Sequence, residues 1–69
     1  MIHNPQLLAI GLTSIGLDAG REYSYNGIDV YMLQAADGTD YIVQGNNTRA
    51  VFNNSWDAAQ HFASLIWGK

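Results

Sequence analysis

The sequence predicts one α+β domain: an N-terminal helix, an antiparallel meander of three to four strands, and a C-terminal helix. Three observations carry that prediction. Apolar residues step at helical spacing near both ends of the chain. Between them the pattern becomes β-branched and aromatic. Asparagine and glycine pairs punctuate that middle segment at hairpin positions. With 69 residues the chain is long enough for one domain, spanning 1–69, and too short for two.

Asn4-Pro5 reads as the start of the first helix. Asn can cap, and Pro is tolerated at the first helical position because its missing N–H had no partner there. Leu8, Leu12 and Ile15 follow at spacings of four and three and form the expected buried stripe. Gly11 weakens the helix by about 1 kcal/mol relative to Ala, or allows another backbone to pack closely. Gly20 reads as a left-handed stop.

The period then changes. Tyr23 and Tyr25 alternate with polar neighbours, and Asn26-Gly27 is a strong hairpin signal. Ile28–Leu33 reads as a strand, Asp37-Gly38 as a second turn, and Tyr41-Ile42-Val43 as the returning strand. Gly45-Asn46-Asn47 is a third turn and Arg49–Phe52 a short fourth strand. A three-residue loop at Asp37-Gly38 sets Leu33 opposite Tyr41 and Tyr31 opposite Val43, with Val30, Met32 and Ile42 on the other face. A two-residue loop slips the pairing by one, and Ile42 changes sides. Either register leaves apolar or aromatic residues on both faces, unlike the clean alternation of a sheet covered once.

Asn54 or Ser55 caps the last helix, and Asp57 places a negative charge in its first turn. Trp56, Ala59, Ala63 and Ile66 step along one face, which Phe62 and Leu65 widen. Gly68-Lys69 follows, with a cation near the helix C-terminus. The simplest packing sets both helices on one face of the sheet.

Composition narrows the function. Net charge is −3, and the only basic side chains are Arg21, Arg49 and Lys69. A phosphate-tracking groove needs several clustered cations, so the chain is not expected to bind nucleic acid directly, nor an anionic membrane. The apolar run in Leu7–Leu17 is too short to span a bilayer, and no basic region precedes it, so neither a membrane span nor a signal peptide is expected. Asn46-Asn47-Thr48 and Asn53-Asn54-Ser55 match the glycosylation sequon but read as turn and cap chemistry in a cytoplasmic protein. There is no cysteine, which excludes disulfides and thiolate metal sites. His3 and His61 are the only histidines and stand far apart, so no metal or other cofactor is expected.

No nucleophile and base can be assembled into a catalytic set, and the chain is expected not to be an enzyme. His61 and Asp57 lie four apart, the spacing of a surface helix pair. Asp37 and Asp40 flank a turn, where water keeps carboxylates ionised. The tyrosines are more telling. Tyrosine offers a large contact area at small entropic cost and is enriched in interfaces. Tyr31 and Tyr41, bordered by Glu22, Asp29, Asp37 and Asp40, form the candidate partner-binding set. Aromatics ringed by carboxylates suit a basic protein surface.

The run Tyr25-Asn26-Gly27-Ile28-Asp29-Val30, followed by Tyr41-Ile42-Val43 and then by Phe52, Ser55 and Ala59, resembles a layout of small phage and mobile-element proteins. Anti-CRISPR proteins are similar to it in size, acidity and absence of a catalytic set. That resemblance implies a phage-derived inhibitor in the cytoplasm of a bacterial host cell. Its partner would be a CRISPR effector complex, covered on a surface built to hold nucleic acid. No contact residue carries over, because the family shares no motif. The alternative expectation is an accessory module that forms a homodimer through the sheet, since a domain this small has a small core.

Overall fold

The computed structural model describes residues 5–67. His3, Asn4, Gly68 and Lys69 lie outside them. The element order is α1 (Pro5–Asp18), β1 (Tyr23–Tyr25), β2 (Ile28–Ala35), β3 (Gly38–Gly45), β4 (Thr48–Phe52) and α2 (Ser55–Trp67). The strands form one antiparallel sheet in the order β1-β2-β3-β4, so the meander has four strands. The α+β architecture is therefore the one the sequence predicts.

The turns follow from backbone chemistry. Asn26 and Gly27 both take positive φ (53° and 78°), as do Asn46 and Asn47 (51° and 64°). These are the left-handed pairs that match the twist of a two-residue hairpin. The central turn sits one residue earlier than its Asp37-Gly38 signal. Ala35 pairs with Gly38, so the loop is Ala36-Asp37 and Gly38 opens β3. Two loop residues select the slipped register: Met32 opposite Tyr41, and Tyr31 opposite Ile42. The three-residue alternative, with Leu33 opposite Tyr41, does not occur.

That register sorts the side chains. Tyr23, Ile28, Val30, Met32, Tyr41, Val43 and Phe52 face the helices and join one core with Ile10, Leu17, Ala58, Ala59, Phe62 and Ala63. Both helices lie on this side. Ile42 stands on the opposite face and outside that cluster, yet it is only 1% exposed.

Helix α1 buries a different stripe from the expected one. Leu12 and Ile15 are 60% and 68% exposed, whereas Ile10 and Leu17, seven residues apart, point inward. The side chain of Leu8 is outside those described. Apolar residues occur on every side of this helix, so spacing alone fits more than one face. The close approach belongs to Gly16 rather than Gly11. A Cβ at Gly16 would run into the phenol of Tyr23, while one at Gly11 would meet nothing within 4 Å. Gly11→Ala should therefore raise stability by about 0.5–1 kcal/mol through helix propensity, read as a higher urea midpoint with unchanged slope. The helix ends as its sequence predicts. Gly20 takes φ 86°, Arg21 N–H donates to Gly16 C=O (2.9 Å), and Gly20 N–H donates to Leu17 C=O (3.0 Å). These bonds make a Schellman stop.

Asn54 is the cap of α2. Its Oδ1 accepts the Asp57 N–H at 2.8 Å, and its Nδ2 donates to Asp57 Oδ2 at 2.9 Å. Ser55 is freed from capping and is buried. Ala58, Ala59, Phe62 and Ala63 form the inner face of α2, with Leu65 and Ile66 half-buried beside them. Trp56 departs from expectation and is 41% exposed. At about 100° per residue it stands at the margin of the buried arc. Small Ala63 is covered at that margin and an indole is not.

Candidate functional site

Two hydroxyls bind one carboxylate where α1, α2 and β3 meet, and a third hydroxyl binds one of them. Tyr41 Oη donates to Asp18 Oδ1 at 2.9 Å, and Ser55 Oγ donates to Asp18 Oδ2 at 3.0 Å. With the Ser55 proton so committed, Ser14 Oγ donates to Ser55 Oγ at 2.7 Å. The hydrogen bond to Asp18 raises the Tyr41 phenol above its ordinary value of 10.0, and burial and the Asp18 charge add to it. This cluster clamps the end of α1 to the start of α2 and to the sheet. It has no nucleophile aimed at open space.

The sign of its pH dependence follows directly. Folded Tyr41 keeps its proton to higher pH than the unfolded chain does. The stabilisation is complete below pH 10 and fades as pH rises through the folded value. Tyr41→Phe should cost about 1 kcal/mol at neutral pH, the net worth of one hydrogen bond. It should also flatten the alkaline loss of stability seen in the parent chain. Denaturation curves between neutrality and strong alkali check both effects, and parallel alkaline slopes would count against the assignment.

The other chemical candidates do not assemble. Asp57 is held by Asn54, while His61 is half-buried with its ring centroid 5.3 Å from that of Phe52. Ser64 Oγ donates to the His61 carbonyl at 2.8 Å, not to its ring. Among the described residues no three His, Cys, Asp or Glu side chains gather to hold a metal. A cavity of about 330 Å³ opens between α1, β1 and α2, lined by Ala9, Thr13, Tyr23, Tyr25, Phe62 and Ile66 among others. Among the described residues its lining includes neither a carboxylate nor a histidine. No described helix is long and apolar enough to cross a membrane.

The sheet's open face is the other distinctive surface. It carries two full cross-strand rows. Asp29, Gln44 and Arg49 form one row, and Tyr31, Ile42 and Val51 form the next. Leu33 and Asp40 make a shorter third row. Leu33 and Val51 are 48% and 52% exposed, and Tyr31 is half-buried. Tyr31 Oη reaches Gln44 Oε1 at 3.4 Å, a long hydrogen bond. Ile42 is covered although neither described helix lies over it; Tyr31 and Val51 flank it across the strands, and Asp40 and Gln44 along its own strand. The open face thus has its own small apolar centre.

Of the residues singled out from the sequence, Asp29, Tyr31 and Asp40 share this face. Asp37 lies in the β2–β3 turn at one end of it, and exposed Glu22 immediately precedes β1. Tyr41 does not belong with them: it is 9% exposed on the helix-covered face, with its hydroxyl committed to Asp18. Sequence reasoning missed Arg49 and Val51. Their alternation with Ala50 and Phe52 was the available signal, and the two-residue Asn46-Asn47 turn fixes it to the open side. No family model, curated protein or solved structure matches this chain.

Proposed function

We propose that this chain is a non-enzymatic binding protein that uses the open face of its sheet to cover a basic surface on a protein partner. The observation behind this reading is the apolar centre of exposed Leu33 and Val51 and half-buried Tyr31, with Asp29 and Asp40 on the same face. Asp37 and Glu22 extend the acidic border, and Arg49 is the only basic residue in the four strands. Carboxylates at a rim steer a basic partner in, and buried aromatic and aliphatic contacts hold it. The likeness to anti-CRISPR proteins favours a nucleic-acid-binding surface of a bacterial CRISPR effector as that partner. Inhibition then follows from occupying the site, without chemistry.

Titration of the purified chain against reconstituted CRISPR effectors tests this reading. Binding should weaken steeply with salt, and Tyr31→Ala should lower affinity about tenfold or more, the effect of losing an interface anchor. Absence of binding to every effector tried, at micromolar concentrations, would remove the reading. A second reading is favoured by one specific observation. Asp29 and Arg49, of opposite charge, flank the same central strand on the same face. On that reading the face covers a second copy of the chain.

A further inference from the structure

We propose that two copies of this chain pack sheet to sheet about a two-fold axis parallel to the strands and passing over Ile42, so that Arg49 of each copy meets Asp29 of the other. This rests on the self-association reading and adds its geometry. The argument starts from register. β3 is flanked by β2 and β4, and each of the two full rows of the open face holds one residue from each. A two-fold along β3 exchanges β2 with β4 and keeps every row in place. Asp29 then lies opposite Arg49 twice, Tyr31 lies opposite Val51 twice, and Ile42 lies opposite its own copy. Gln44 also meets its copy, and two primary amides can donate to and accept from one another.

The other symmetric placements fail on charge. An axis across the strands, through the row of Ile42, sets Asp29 over Leu33 and gives Arg49 no carboxylate. An axis along β2 sets Asp29 over Asp29 of the other copy. An axis between β2 and β3 sets Arg49 over Ser24 and Asp29 over Gln44. Each buries an ion without a partner, which is costly. Isologous contact requires a self-complementary patch, and of these axes the one along β3 makes this face one. The arrangement is compatible with aligned sheet packing, with strands about 30° apart and sheets about 10 Å apart.

One contact opposes it. Asp40 is half-buried on β3 and falls opposite its own copy. Asp40→Asn should therefore tighten the dimer. The footprint is also modest. Only β2, β3 and β4 overlap across this axis, and at about 4.8 Å spacing and about 3.4 Å rise they offer on the order of 300–400 Å² per copy in projection, below the usual size of a stable interface. The dimer should be reversible in the micromolar range.

Sedimentation equilibrium from about 5 µM to 1 mM tests the geometry on the parent chain, Asp29→Arg, Arg49→Asp, Val51→Asp, and an equimolar mixture of the two charge reversals. Circular dichroism confirms that each variant is folded. The parent should dimerise, and each charge reversal alone should weaken the dimer about tenfold or more, because like charges then face each other twice. The mixture should recover association to within about threefold of the parent, because opposite charges face each other again at both positions. A parent that stays monomeric to 1 mM overturns both the geometry and self-association. A dimer that Val51→Asp breaks but the mixture does not restore overturns this axis and leaves self-association through the face. A dimer indifferent to all three substitutions overturns the axis and self-association through this face, because association then lies elsewhere.

Discussion

Leu17→Ala should lower the free energy of unfolding by about 3–5 kcal/mol, the cost of emptying a fully buried leucine site. Leu17 has no exposed surface and shares its cluster with Ile28, Val30, Tyr41 and Val43. It also precedes Asp18, whose carboxylate holds Tyr41 and Ser55, so a helix end that loosens at Leu17 misplaces that clamp as well. A chain of 69 residues has a total stability of about 3–10 kcal/mol. The substitution therefore removes a large share of it, and the melting temperature should fall by well over 10 °C, at about 4–8 °C per kcal/mol. Leu12→Ala, on the exposed side of the same helix, should change stability by less than about 0.5 kcal/mol. Urea unfolding of both variants, followed by circular dichroism, checks the assignment. Equal losses at the two positions would reverse the face given to α1.

Gly45→Ala should cost about 1–3 kcal/mol through overpacking. The reason is local and hard to relieve. A Cβ at this position would come within 2.7 Å of the Gly27 carbonyl oxygen and 2.8 Å of the Ile28 Cα. Both are backbone atoms of the β1–β2 hairpin, so no side-chain rotation clears them. Either β3 moves at its end, or the neighbouring turn does. The hydrogen bond from Thr48 Oγ1 to the Gly45 carbonyl, 2.6 Å, holds the β3–β4 turn in place. The Asn26-Gly27 turn should therefore move. Amide shifts and exchange rates at residues 26–28 should change more than those at residues 46–48. An unchanged hairpin with unchanged stability would show that the approach is looser than described.

Much of this fold can be read from individual residues. Asn26-Gly27, Asn46-Asn47 and Gly20 take positive φ, and their residue types say so without tertiary context. Asn54 and Asp57 mark the start of α2 in the same local way. What could not be read depends on partners far along the chain. The buried side of α1 brings Gly16 against Tyr23 and Leu17 into the core, contacts with residues outside the helix that its own spacing does not encode. The central register turned on whether the loop was Ala36-Asp37 or one residue longer. A single residue there moves Ile42 from one face to the other. The tyrosines suffered most from this. Tyr31 and Tyr41 were equivalent by composition, and the register sends one to the open face and the other to the Asp18 carboxylate. The apolar centre of the open face was legible as an excess of two-sided strand residues. Its charge pattern was not, because Arg49 acquires a meaning only once β4 is aligned against β3.

The sheet's strand order has a kinetic meaning. Each strand pairs with its neighbour in the chain across a two-residue turn, so loop closure costs little and the meander can assemble in the order of synthesis. Helix α2, which supplies Ala58, Ala59, Phe62 and Ala63 to the core, follows the whole sheet in the chain. Until it emerges, Val30, Tyr41 and Val43 lack that cover, and the nascent sheet shows apolar surface on both sides. The interval between completion of β4 and arrival of α2 is thus when the chain is most open to misassociation.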